Sequence, residues 1–117
     1  MNIVFYVNKN NHKCPVRSFI EKLEVKDRAK ILACLVSVEE CGFDSPRVQF
    51  RQIRGRLWEI KIRSSSGGFR IFYVGLKANT LVLLHAYQKQ SKKAPLKEIE
   101  TAEQRLLEVM SNEKDDT

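Results

Sequence analysis

Between Leu57 and Lys93 the chain sets out groups suited to the chemistry of a phosphodiester. The stretch LWEIKIR places Glu59, Lys61 and Arg63 at alternate positions, and FRIFYV carries Arg70 inside an otherwise apolar run. HAYQKQSKKAP spaces His85, Tyr87 and Lys89 two residues apart before Lys92 and Lys93. Successive side chains of a strand turn to opposite faces, so each alternating set shares a face. Guanidinium and ammonium groups clamp phosphate oxygens, a phenol stacks on an unpaired base, and a carboxylate, an amine or an imidazole takes a proton. Arg70 stands out because a cation inside an apolar strand needs a partner. Taken singly, Lys61, Arg63, Lys92 and Lys93 read more readily as solvated charges on an open sheet face, and His85 as support at the end of a core strand.

Charge distribution sharpens this picture. The 117 residues carry a formal net charge of +7, and from Arg51 to Lys93 ten basic residues stand against the single acid Glu59. The rest of the chain is close to neutral, so the excess is a patch suited to a polyanion, with Arg54, Arg56, Lys92 and Lys93 as backbone-contacting candidates. Three cysteines, Cys14, Cys34 and Cys41, form neither a CxxC pair nor another familiar ligand spacing, so neither a disulfide framework nor a metal site is expected. The cysteines read instead as two small hydrophobes packed in a helix and one near a helix start. No apolar run is long enough for a membrane span, and MNIVFYVNKNN lacks the layout of a signal peptide, so the expected location is the cytosol.

The elements that must position these groups follow from period and punctuation. IVFYV reads as a first strand. Pro15 opens a short helix with Val16, Phe19, Ile20 and Leu23 at helical spacing. Val25 to Cys41 predicts a longer helix closed by Gly42, with Ala29, Leu32, Leu35, Val36 and Val38 largely on one side. GFDSPRVQFRQIRG, with two glycines and a proline, reads as an irregular connector. LWEIKI then pairs with FRIFYVG across RSSSGG, turning Trp58, Ile60 and Ile62 toward the core and Glu59 and Lys61 away from it. TLVLLHAYQK, apolar on both faces at its start, suits a central strand. A final amphipathic helix starts after Pro95. The expected fold is α+β in the order βααβββα: a small antiparallel-dominated sheet, a helical hairpin and a C-terminal helix, with helices mainly on one face. Residues 1–112 form one domain and 113–117 a frayed acidic tail.

WEIKIRSSSGGFRIFYV followed by LLHAYQKQSKKAPLKEIETAEQR resembles the RelE/HigB family of bacterial toxins, especially its phage-derived branch, and CPVRSFIEKL resembles that branch's opening helices. The likeness runs from the first strand to about Leu107. It implies a RelE-like fold and a ribosome-dependent, metal-independent messenger-RNA endonuclease of a type II toxin–antitoxin system, with no cofactor. The implied partners are the ribosome, messenger RNA and a cognate antitoxin, commonly a helix-turn-helix protein. Sequence-specific DNA binding by this chain alone and membrane association are not implied. By the resemblance the strand lysine is Lys61 with Arg63 beyond it, the phosphate clamp is Arg70, and the basic residue ending the last strand is Lys89. Glu59 stands where RelE itself has a further lysine, and Gln88 where the branch often has one, so Glu59, Lys61 and His85 all remain candidates for the base. Two rivals are a non-catalytic basic RNA- or ribosome-binding module on the same scaffold, and a protein whose patch docks an acidic partner segment.

Overall fold

Among the described residues, five strands and three helices follow one another as β1 (Asn2–Phe5), α1 (Pro15–Glu21), α2 (Val25–Cys41), a short 3-10 turn (Gly42–Asp44), β2 (Gln49–Arg54), β3 (Leu57–Ser64), β4 (Gly67–Leu76), β5 (Thr80–Lys89) and α3 (Leu96–Asp115). The computed structural model describes residues 1–65, 67–90 and 95–115. The strands form one sheet in the order β1-β5-β4-β3-β2, in which β1 runs parallel to β5 and the other neighbours are antiparallel. The α+β class and the predicted order hold, with one strand added. That strand, β2, lies in the segment read as a connector: Phe50 pairs with Ile60 and packs into the core, while Gln49 and Arg51 turn the other way.

Punctuation residues set the helix ends. Pro15, whose missing amide costs nothing at a helix start, begins α1. Gly42, at φ 61, ends α2 in a conformation that a β-carbon would strain. The carbonyl of Pro95 accepts the first backbone bond of α3, from Ile99.

Two apolar cores lie on the two sides of the sheet. On one side Ile60, Ile62, Phe69, Ile71, Tyr73, Leu81 and Leu83 meet Val16 and Ile20 of α1 and Ile31, Cys34, Leu35 and Val38 of α2. On the other, Leu57, Phe72, Val74, Val82 and Leu84 meet Ile99, Ala102, Leu106, Val109 and Met110 of α3. The expectation that helices gather mainly on one face is therefore corrected: α3 caps the second face, because half of that face is also apolar. Among the described residues, the part of that face beyond α3 carries the charged residues. A second correction concerns α2. Ile31, Cys34, Leu35 and Val38 face the core, but Leu32 and Val36 are 46% and 49% exposed on the other side. Cys34 is buried, Cys14 borders α1 and Cys41 is exposed rather than packed.

Candidate active site

A bulge in β5 decides which side chains meet. Tyr73 pairs with Leu83 but its neighbour Phe72 pairs with His85, so Leu84 is an extra residue in the ladder. Ahead of the bulge Leu81 and Leu83 face the helical hairpin, and Val82 and Leu84 face α3. After it the parity is reversed, and His85, Tyr87 and Lys89 share the α3 side with Arg70 and Lys61. Without that residue they would point into the opposite core.

Strand register arranges the polar groups in rows across four strands. Gln49, Lys61, Arg70 and Tyr87 are successive cross-strand partners in the middle row. Arg51, Glu59, Phe72 and His85 form the row toward α3. Arg63, Gly68 and Lys89 form the row at the open end. Directly paired residues hold their β-carbons roughly 5 Å apart, so Lys61, Arg70 and Tyr87 can engage one phosphate together.

Arg70 and Glu59 are the buried charges of this face, 8% and 2% exposed. Nε of Arg70 lies 3.7 Å from Oε1 of Glu59, and Nε of the exposed Arg51 lies 3.3 Å from Oε2 of Glu59. One carboxylate thus serves two guanidinium groups, which satisfies the partner that Arg70 required and fixes its aim. Arg70 also donates to the carbonyl of Phe69 at 3.1 Å. Its guanidinium lies over Gly68, where an added β-carbon would come within 2.5 Å of Nη1. Gly68 is therefore the floor on which the cation rests. Lys61 and Lys89 are half-buried beside it, and Arg63 is exposed.

Burial, then the negative charge of Glu59, push the Tyr87 phenol up to about 12. It keeps its proton at neutral pH and can donate it, whereas it makes a poor base. Tyr87 leans on Phe72, with ring centres 5.5 Å apart, and stacks on His85.

His85 is held by α3. Nη1 of Arg105 donates to Nδ1 of His85 at 3.0 Å and to the Leu84 carbonyl at 2.9 Å, and Nε2 of His85 bonds Glu98. With Nδ1 accepting, Nε2 carries the proton that goes to Glu98. Both ring nitrogens are thus engaged by side chains of α3.

The remaining sequence candidates lie apart. Arg54 is paired with Glu103 of α3, its Nη2 donating to Oε2 at 2.9 Å, and Arg56 donates to the Gly75 carbonyl at 2.7 Å. Both flank the β2–β3 turn, at the other end of β3 from Lys61 and Arg63, and are not gathered with the middle row. Lys92 and Lys93 lie outside the described residues. About 960 Å³ of concave space borders β2, β3 and β4. By strand parity its lining divides in two: Gln49, Arg51, Glu59, Lys61, Arg70 and Lys89 on the charged face, and Phe43, Phe50, Trp58 and Tyr73 on the hairpin face. The charged group is the candidate site. Arg51, Gln49 and Gly68 are its members that sequence reasoning did not select. The alternation of Gln49, Phe50 and Arg51 was the available signal for the first two.

Among the described residues, no helix is long and apolar enough to cross a membrane, and no three His, Cys, Asp or Glu side chains gather as a metal centre would require. No curated protein matches the chain at a significant level. The model of the family described as "Phage derived protein Gp49-like (DUF891)" matches residues 18–107, a span that includes β2 to β5 and with them all three charged rows. The chain belongs to this phage-derived, toxin-like family.

Proposed function

We propose that the chain is the toxin of a type II toxin–antitoxin pair of RelE/HigB kind, a ribosome-dependent endonuclease that cuts messenger RNA and halts translation. The observation that carries this reading is the middle row, in which Lys61, Arg70 and Tyr87 adjoin across three strands on a basic sheet face. In the reaction the ribose 2′-oxygen attacks the adjacent phosphorus, the bond to the 5′-oxygen breaks, and the products are a 2′,3′-cyclic phosphate and a 5′-hydroxyl. Arg70 holds two phosphate oxygens and stabilises the phosphorane. Lys61, in its neutral amine form, takes the 2′-hydroxyl proton and becomes the ammonium, Tyr87 delivers a proton to the 5′-oxygen and regains one from solvent, and Lys89 and Arg63 hold the flanking backbone. Glu59 is too buried and too engaged to reach substrate, so it acts as a positioning residue for Arg70. The partners are a cognate antitoxin, the ribosome and its bound message, with the cytoplasm as the place of action.

Arg70→Ala is expected to abolish growth arrest and to lower cleavage of translated messages by about 10²-fold or more, with an unchanged circular dichroism spectrum. Wild-type chain expressed without an antitoxin that leaves growth and message ends untouched would refute the proposal.

Glu59 also favours a second reading, a binding module without catalysis, because its carboxylate offsets part of the charge of Arg70. Such a module binds RNA or the ribosome with strong salt dependence and leaves no cyclic-phosphate ends, so mapping the ends of cellular messages separates the two.

A further inference from the structure

Helix α2 has two apolar sides, and the fold uses one. Ile31, Cys34, Leu35 and Val38 are buried against the sheet. On the opposite side Val25, Ala29, Leu32 and Val36 follow one another at intervals of four, three and four residues, and all are exposed. Val25 is 70% exposed, and Phe43, seven residues beyond Val36, is 59% exposed just past the helix end. Spacing of four and three is the seam of paired helices, where a stripe this narrow buries itself against a like stripe. A surface helix whose outer face needed only water would be polar there.

Charge around the stripe selects the occupant. The exposed Lys26 and the half-buried Arg28 lie near the start of α2, and the exposed Glu39 and Glu40 lie at its end. At about 100° per residue Lys26 and Glu40 flank the stripe on one side, and Arg28 and Glu39 flank it on the other. A two-fold axis perpendicular to two antiparallel copies of α2 keeps each flank against its own kind. It therefore sets Lys26 against Glu40 of the second copy and Arg28 against Glu39 of the second copy, each pair occurring twice. The same register places Ala29 opposite Val36, a small residue facing a larger one, and brings Leu32 against Leu32 of the second copy in the middle of the seam. A parallel arrangement would instead bring like charges together at both ends.

We infer that the outward face of α2 is a homodimer interface, which pairs antiparallel with α2 of a second copy of this chain about a two-fold axis at Leu32 and Ala33. The helix lies on the hairpin side of the sheet, so both charged faces stay open in the dimer.

Light scattering and sedimentation of the purified full chain over a concentration series test this. The expected mass rises from 13.6 kDa to twice that value. Leu32→Glu and Val36→Glu, both outside the core, should each give the single-chain mass with an unchanged circular dichroism spectrum, which shows that the fold is kept. Lys26→Glu should weaken association by roughly an order of magnitude, because symmetry breaks two pairs at once. Lys26→Glu combined with Glu40→Lys should restore it. A single-chain mass at every concentration, a double mass that survives Leu32→Glu, or a charge-swapped variant no better than Lys26→Glu would each overturn the inference; a monomeric chain would leave the stripe to a partner of another kind.

Discussion

At the scale of residues, the site depends on how one guanidinium is held. Arg70 is fixed from the side by Glu59 and from below by Gly68, and the two supports fail differently. Gly68→Ala places a methyl group where Nη1 lies, so the side chain must swing away. Cleavage should fall by roughly 10- to 100-fold, as misplacement of a catalytic group by an ångström does. Stability changes little, since Gly68 is partly open and its backbone conformation suits alanine. Glu59→Gln keeps the shape but weakens both ion pairs, and should cost about 1–3 kcal/mol in urea unfolding as well as activity. Tyr87→Phe keeps the ring on Phe72 and removes the proton that the raised phenol holds. RNA binding should persist while single-turnover cleavage falls by about 10²-fold. If binding and cleavage fall together, Tyr87 is a binding residue rather than a donor.

At the scale of elements, α3 and β5 act as a unit. His85 is the link, with one nitrogen on Glu98 and the other on Arg105. His85→Ala should cost about 1–3 kcal/mol, and hydrogen exchange should quicken in α3 before it does in β4. Legibility also divides by element. Pro15 and Gly42 fixed the helix boundaries because each residue type has a narrow conformational use. β2 was obscured because Pro46 and two glycines outweigh the brief alternation at Gln49, Phe50 and Arg51. Leu32 and Val36 share the helical period with Leu35, because a helix apolar on both sides satisfies that period twice. Lys61, Arg70 and Tyr87 were legible as residue types on strands. The sharing of Glu59 between Arg51 and Arg70, and the support Gly68 gives, were not, because they arise from cross-strand neighbours that sequence distance conceals.

At the scale of the molecule, two cores share one sheet, and each of the chain's three tyrosines is bound into that arrangement. Burial is the first cause that raises Tyr6, Tyr73 and Tyr87 to about 12, from an ordinary 10.0. The folded chain holds these protons more tightly than the unfolded chain does. Their stabilising contribution is complete below pH 10 and is lost as pH rises from 10 to 12. Unfolding monitored by urea should therefore show a steep loss of stability across that window. Tyr73→Phe should flatten it, since burial alone raises that group; an unchanged pH profile would count against this account. The extra residue of β5 has a consequence for inheritance. Loss of one codon from the stretch encoding Leu81 to Leu84 leaves the reading frame and nearly all of the composition intact. It also removes the phase slip, so that Tyr87 and Lys89 exchange outside for inside. A three-nucleotide deletion there would silence the face as fully as a stop codon, and a one-residue gap in an alignment of related genes would be the mark of a chain that has lost its site.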